Sequence, residues 1–210
     1  MANPARRIKR SAVKNIVRFP AIKANGGKTI LVESILESKY CLHLEFDPDV
    51  VTYFPQPKTF TVPVNGEKLI YTPDFEVYYR SSRRRYIEIK PRKQSESEHY
   101  QQLFQGFASM LEDPLCDFLL VDESTIYQQP LLSNYEKLYR YRKRPLLDMA
   151  NFHRCRAMID STMPLAQLID RLKGRAGLKE IYCWLAMGYL QFDLRHKALT
   201  METEVSFNVS

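Results

Sequence analysis

The spacing of apolar residues along the chain predicts an α/β protein. Apolar residues recur at steps of three and four in segments 30–46 and 95–111, as expected for helices with one buried face. Segment 117–121 predicts a buried strand, and 130–144 has the spacing of a further helix. Runs rich in β-branched and aromatic residues predict strands at 50–54, 59–64, 67–71, 75–79 and 86–90. This order predicts a mixed β-sheet flanked by helices.

The C-terminal third predicts a second, smaller α+β domain over residues 146–210, with a boundary near Arg144-Pro145. Its predicted elements are helices at 147–159, 164–172 and 178–189 and strands at 190–194 and 203–207. Three helices and a terminal hairpin form a winged-helix plan. A plain three-helix cap packed on the first domain is the alternative.

The N-terminal segment predicts a basic arm over residues 1–28. It carries eight Lys or Arg, whereas the first acidic residue of the chain is Glu33. Two prolines and the Gly26-Gly27 pair within it are typical of an irregular segment. Such an arm is either a solvated tail or a contact to the DNA backbone, and the absence of acids favours DNA.

The overall charge indicates a polyanionic partner. The net charge is +7 and the pI is about 9.2, although many basic proteins bind no nucleic acid. Three basic clusters at 6–28, 83–93 and 140–144 would attract phosphates of any sequence, and binding should weaken with salt.

The cysteines and the hydropathy exclude several classes of protein. The four cysteines are far apart and lack C-x-x-C spacing, so neither a zinc site nor a disulfide framework is indicated. Reduced thiols fit a cytoplasmic protein, here expected to be bacterial and associated with the nucleoid when on DNA. No apolar run reaches the ~20 residues of a membrane span, and no signal-peptide pattern is present.

The candidate chemistry centres on Asp74, Glu88 and Lys90. Because side chains alternate along a strand, Glu88 and Lys90 point to the same face. If 75–79 and 86–90 pair as an antiparallel hairpin, Asp74 lies level with the end that carries Glu88 and Lys90. Two carboxylates and an ammonium on one sheet edge can hold a divalent cation and an attacking water. This pattern predicts the outline of a nuclease site.

Four motifs together resemble a known family. In chain order they are Ser34-Ile35-Leu36-Glu37, Gln56-Pro57, Tyr71-Thr72-Pro73-Asp74-Phe75 and Glu88-Ile89-Lys90-Pro91. They resemble the TnsA family of transposon endonucleases over about residues 30–125. The resemblance implies a restriction-endonuclease-like (PD-(D/E)xK) fold for 29–145 and a winged-helix-like domain for 146–210. The short chain and basic N-terminus look more like the TnsA proteins of CRISPR-associated transposons.

The resemblance also assigns roles at the site. Acids on a helix surface are usually solvated, but Glu37 closes the S-x-x-E motif and is favoured over Glu33. We expect Glu37, Asp74, Glu88 and Lys90 to be catalytic. Asp74 and Glu88 are predicted to bind Mg²⁺ (or Mn²⁺), with the Ile89 carbonyl as a further ligand. Glu37 would hold a second metal or a metal-bound water, and Lys90 would orient the nucleophile or stabilise the transition state.

Further candidates would contact DNA. Gln56 and Tyr71 are weaker candidates for supporting the site or binding phosphate. The predicted DNA-binding residues are Arg6, Arg7, Lys9, Arg10, Gln56, Arg83, Arg84, Arg85, Arg92 and Lys93.

The implied function is that of a Mg²⁺-dependent endonuclease subunit in a heteromeric transposase. Such proteins cut the 5′ (non-transferred) strands at the transposon ends in double-stranded DNA. Their partners are a TnsB-like DDE transposase, which cuts the 3′ ends, and a TnsC-like AAA+ ATPase. Two alternatives stay open: a nuclease of the same fold in a restriction, phage or repair system, and a non-catalytic DNA-binding scaffold.

Overall fold

A four-stranded mixed sheet organises the first of two units in the computed structural model, which describes residues 16–208. The strands, in spatial order, are β3 (Val50–Pro55), β6 (Phe75–Tyr79), β7 (Arg84–Ile89) and β8 (Cys116–Val121). The first three pair antiparallel, whereas β7 and β8 run parallel. This mixed sheet with its helices confirms the predicted α/β class.

The register of the β6–β7 hairpin agrees with the expectation from the sequence. Phe75 lies opposite Ile87, and Asp74, one residue before β6, therefore comes level with Glu88. Both Phe75 and Ile87 are fully buried, as the alternation of apolar and polar positions predicts. The hairpin thus carries two acids to one edge of the sheet.

Helices and a second hairpin complete this unit. The helices are α1 (Ile35–Phe46), α2 (Arg92–Ser95), α3 (Glu98–Ser109) and α4 (Glu123–Ile126). Strands β4 (Phe60–Val64) and β5 (Glu67–Tyr71) form the hairpin expected around Asn65-Gly66. α3 packs against β4 so closely that a Cβ on Gly106 would lie 3.1 Å from the Pro63 carbonyl oxygen. An aromatic layer built around the fully buried Phe107 fills the space between them.

The chain before α1 differs from the expected arm. Residues 16–28 are packed: β1 (Val17–Pro20) pairs with β2 (Thr29–Val32), and a short 3₁₀ segment (Asn25–Gly27) lies between them. Phe19, Ala21 and Ala24 are buried. The predicted helix over 30–46 accordingly begins only at Ile35. Residues 1–15 of the predicted arm lie outside the described residues.

A buried carboxylate explains why this segment packs. Glu45 on α1 has no exposed surface and accepts hydrogen bonds from the backbone N–H groups of Ile22 (2.8 Å) and Lys23 (3.2 Å). The Tyr53 hydroxyl also donates to Glu45, at 2.9 Å. The Lys23 ammonium donates to the Leu44 carbonyl (3.1 Å) near the helix end, where a cation is favourable. These contacts fasten the basic segment to α1.

The second unit begins earlier than expected. Contacts divide the chain between Tyr127 and Gln128 rather than near residue 145. The reason is the helix over residues 131–143, which packs against a later helix of the C-terminal unit. Its Asn134 donates to the Leu194 carbonyl and accepts from the Leu199 N–H, both at 2.9 Å. These bonds place the helix in the C-terminal unit.

Four helices and a small sheet make up that unit within the described residues. The helices are α5 (Leu131–Lys143), α6 (Met149–Arg156), α7 (Leu165–Arg171) and α8 (Leu178–Met187). The strands are β9 (Met163–Pro164), β10 (Leu190–Gln191) and β11 (Glu204–Phe207). β11 lies between β10 and β9 and pairs antiparallel with both. β9 was not predicted, because two residues are too short to show alternation. None of the helices described for residues 16–208 is long and apolar enough to cross a membrane.

We expect Glu45→Ala to lower the free energy of unfolding by about 3 kcal/mol, because buried donors lose their acceptor. Glu45→Gln keeps one acceptor oxygen and should lose less. Denaturant unfolding of the full chain followed by circular dichroism measures the change. The exposed Glu202→Ala serves as control and should stay within about 0.5 kcal/mol of wild type. Wild-type stability of Glu45→Ala would contradict this role.

Candidate active site

Asp74 lies at the centre of the candidate site, between two strand ends. Its Oδ2 accepts a hydrogen bond from the Ile89 N–H at 2.7 Å, which joins the start of β6 to the end of β7. Its backbone carbonyl accepts from the Gln56 N–H at 2.8 Å, just beyond β3. Three adjacent strands therefore fix the position of this carboxylate.

Glu88 is the second carboxylate of the sheet edge and is 5% exposed. The Tyr71 hydroxyl donates to its Oε2 at 2.9 Å, and the Lys90 ammonium lies 3.0 Å from its Oε1. Tyr71 comes from β5, so the second hairpin also reaches the site. The structure thus brings Tyr71, a weaker candidate in the sequence, into direct contact with a predicted metal ligand.

Glu37 reaches the site from the first turn of α1. Ser34 is the N-cap of this helix, and its Oγ accepts from the Glu37 N–H at 3.0 Å while donating to Glu37 Oε1 at 2.8 Å. The Glu33 N–H donates to the other carboxylate oxygen at 2.9 Å. This arrangement is a variant of the capping box in which the carboxylate accepts from the residue before the N-cap, and it fixes the side chain as well as the helix end. The S-x-x-E motif therefore has a local structural reason.

Burial and neighbouring charge both raise the pKa values of the acids. Burial raises the pKa of Asp74 well above its usual range, and the nearby charges of Glu88 and Glu37 raise it further. Burial also raises the pKa of Glu37, against its hydrogen bonds from Glu33 and Ser34. The charges of Glu88 and Glu37 therefore add to the effect of burial on Asp74.

Lys90 keeps its positive charge despite its burial. Burial alone would lower the pKa of its ammonium, but the adjacent Glu88 carboxylate outweighs burial and raises the pKa above its ordinary value. Burial and the charge of Glu88 also raise the pKa of the Tyr71 hydroxyl. Lys90 is therefore a cation, and Tyr71 a hydrogen-bond donor, at neutral pH.

The donor set fits a hard divalent cation. Between residues 16 and 208, no group of three or more His, Cys, Asp or Glu side chains forms a ready-made metal cage. Mg²⁺ needs less, because it is usually held by one or two carboxylates and keeps several waters. Asp74 and Glu88 offer such oxygens, and the repulsion that raises the pKa of Asp74 is what a cation would relieve.

The arginines around β7 that were predicted to contact DNA form ion pairs with acids of the same chain. Arg85 binds both oxygens of Asp117 (2.6 and 2.7 Å), and Arg83 reaches the same carboxylate at 2.8 Å. Arg84, at the start of β7, lies 3.5 Å from Asp113, whereas Glu88 lies near the end of the same strand. Arg83 and Arg85 thus share the Asp117 carboxylate, and the Arg85–Asp117 pair links β7 to β8. These side chains offer DNA less free charge than their number in the sequence indicates.

The remaining predicted contacts fall into three groups. Arg92 pairs with Glu96 at 3.0 Å, and Lys93 beside it is exposed. Gln56 is only 2% exposed, which argues against the predicted contact of its side chain with DNA. Its buried amide has no hydrogen-bond partner among the described residues. Four further candidates lie outside the described residues: Arg6, Arg7, Lys9 and Arg10.

We expect Asp74→Asn to stabilise the fold at pH 8 by about 1 kcal/mol. Because the pKa of Asp74 is raised in the folded chain, its ionisation costs stability as the pH rises above the unfolded value of about 4. The gain should therefore vanish below that pH. The asparagine oxygen can still accept from the Ile89 N–H.

Urea unfolding across a pH series tests this expectation, with the exposed Asp160→Asn as the matched control. The control should change stability little at any pH. A loss of stability in Asp74→Asn at pH 8 would mean that the carboxylate is well compensated in the fold, contrary to the repulsion described above.

Comparison with known proteins adds an independent finding. Residues 47–123 match the family model for the TnsA-like endonuclease N-terminal domain. No curated protein matches the chain significantly. The matched segment contains Asp74, Glu88 and Lys90, whereas Glu37 precedes it by ten residues. This match confirms the resemblance seen in the motifs: residues 47–123 match a TnsA-like endonuclease N-terminal domain.

Proposed function

We propose that this protein is the endonuclease subunit of a transposase and cuts the 5′ (non-transferred) strand at transposon ends. The observation that carries the proposal is that Asp74, Glu88 and Lys90 lie at one sheet edge of a TnsA-like domain, with Lys90 3.0 Å from Glu88. The family supplies the transposition context. The chemistry supports hydrolysis of a phosphodiester.

Asp74, Glu88 and the Ile89 carbonyl would hold Mg²⁺ (or Mn²⁺). When bound, the ion would lower the pKa of a water and neutralise charge on the phosphate. Glu37 extends this acidic side of the site and would hold a further ion or a bound water. Its raised pKa also makes its carboxylate a better proton acceptor than an exposed glutamate.

Lys90 serves the phosphate side of the reaction. As a cation it can donate hydrogen bonds to oxygens that gain negative charge in the transition state. Both Glu88 oxygens are engaged in the described contacts, one by Tyr71 and one by Lys90. If a metal ion were to engage a Glu88 oxygen, the Lys90 ammonium would be available to the substrate. Tyr71 meanwhile keeps the carboxylate in place.

The site contains little that could read a DNA sequence. The arginines nearest to it along β7 are paired with acids, and Gln56 is buried. We therefore propose that a TnsB-like transposase and a TnsC-like ATPase choose the DNA ends and the time of cleavage, as the family resemblance implies. The substrate of the complex is double-stranded DNA.

We further propose that the C-terminal unit is a winged-helix module that contacts DNA. The order α6, β9, α7, α8, β10 and β11, with β11 central in the sheet, supports this reading. The turn between α7 and α8 exposes Arg171, Lys173, Arg175 and Lys179, flanked by Asp170 and Glu180. Docking of a protein partner on the same face is the competing role.

We expect Asp74→Ala, Glu88→Ala and Lys90→Ala each to lower cleavage of the non-transferred strand at least about 100-fold, because each removes a preorganised charge. The measurement is strand-specific mapping of cuts in a reconstituted mixture with both partners, transposon-end DNA and Mg²⁺. Cuts of the transferred strand by the TnsB-like partner should persist.

Glu76→Gln is the matched control. Glu76 is an acid of β6, two residues after Asp74, but it pairs with Arg84 at the start of β7. It should cleave at close to the wild-type rate. A wild-type mixture that never cuts the non-transferred strand would refute the proposal. Cleavage without any partner would favour a restriction, phage or repair nuclease, and DNA binding without cleavage a scaffold.

The double variant Lys173→Glu/Arg175→Glu should weaken binding to DNA of any sequence about tenfold at ~0.1 M salt, and should flatten its salt dependence. Fluorescence anisotropy with a labelled duplex measures both quantities. Unchanged DNA affinity together with lost association with the TnsC-like partner would assign this face to protein docking instead.

A further inference from the structure

The ammonium of Lys90 contacts an aromatic ring, that of Tyr100, as well as the Glu88 carboxylate. It lies over the face of the Tyr100 ring, with Nζ 4.0 Å from the ring centroid. Tyr100 belongs to the first turn of α3 and stacks on Phe104, with centroids 5.6 Å apart and planes inclined by 23°. Phe104 belongs to the buried aromatic layer, so the Tyr100 ring rests on a fixed support.

This geometry favours a strong cation–π interaction between Lys90 and Tyr100. A cation within about 6 Å of a ring centroid is attracted by the electron-rich face, and more so when water is excluded. The Lys90 side chain is only 17% exposed. Phe104 lies farther from the ammonium, at 6.0 Å, so Tyr100 provides the main ring contact.

The ring limits where the ammonium can go. A lysine side chain has a flexible four-carbon stem, and holding its charge in one place costs conformational entropy. In the structure, the Glu88 carboxylate contacts the ammonium at 3.0 Å, and the Tyr100 ring contacts it at 4.0 Å. The Lys90 N–H also bonds the Val121 carbonyl at 3.0 Å, which fixes the backbone beneath the side chain.

We propose that Tyr100 is a positioning residue for the cleavage reaction and acts through Lys90. If a metal ion were to engage Glu88, the ring would still hold the ammonium at the site. The ring face is sufficient for this role, and the hydroxyl is dispensable. The proposal rests on the proposed nuclease function, but the contact itself can be measured without it.

The experiment compares Tyr100→Phe and Tyr100→Leu in the full chain. The first readout is NMR of the Lys90 ε-methylene protons, assigned by their loss in Lys90→Arg. A ring stacked on the ammonium shifts these protons upfield of those of other lysines. We expect the upfield shift in wild type and Tyr100→Phe, and its loss in Tyr100→Leu.

The second readout is the single-turnover rate of non-transferred-strand cleavage in the reconstituted mixture. Tyr100→Phe should cleave at a rate within a few-fold of wild type, whereas Tyr100→Leu should cleave about tenfold more slowly than wild type. Leu111→Ala controls for loosening of the same aromatic layer, since Leu111 packs on it. This control should lower the melting temperature yet keep the rate.

The outcomes separate the two proposals. Absence of the upfield shift in wild type, or a wild-type rate in Tyr100→Leu, overturns the role of Tyr100. An equal loss of rate in Leu111→Ala also overturns it, because the effect would then be structural. If wild type shows the shift but never cuts DNA, the nuclease function fails, and the positioning role fails with it while the contact stands.

Discussion

The antiparallel register of β6 and β7 is the constraint on which the candidate site depends. It sets Asp74 beside the end of β7, where the Ile89 N–H binds its carboxylate at 2.7 Å. A slip by one residue would turn Glu88 and Lys90 to the opposite face of the sheet. The buried pair of Phe75 and Ile87 resists that slip, since it would turn Ile87 away from Phe75, which lies opposite it.

The site gathers charges at a cost to the fold. Burial and mutual repulsion raise the pKa of Asp74 and of Glu37, so both are destabilised as anions. Ser34 offsets part of this cost by donating to Glu37, and the Ile89 N–H does so by donating to Asp74. Lys90 pairs with the neighbouring Glu88. Such a strained group of like charges is typical of a functional site rather than of a structural one.

A second buried acid, Glu45, anchors α1, the helix that carries Glu37. Glu45 binds the backbone at Ile22 and Lys23 and so fixes the N-terminal hairpin against α1. The same residues looked like part of a basic arm in the sequence, because their charge was visible there and their partner was not. Charge is a property of a residue, whereas pairing is a property of the fold.

The sequence by itself determined the hairpin and its face, because strand alternation and the Asp74…Glu88-x-Lys90 spacing are local properties. Glu37 was marked only by the S-x-x-E motif of the family resemblance, and its place in the helix cap came from the structure. Only the tertiary structure decided which distant groups meet: Arg85 with Asp117, and Lys90 with the ring of Tyr100. In the sequence Tyr100 is one more apolar position of a helix. Its contact with the ammonium arises because the fold brings the first turn of α3 beside Lys90, just after β7, which no local pattern encodes.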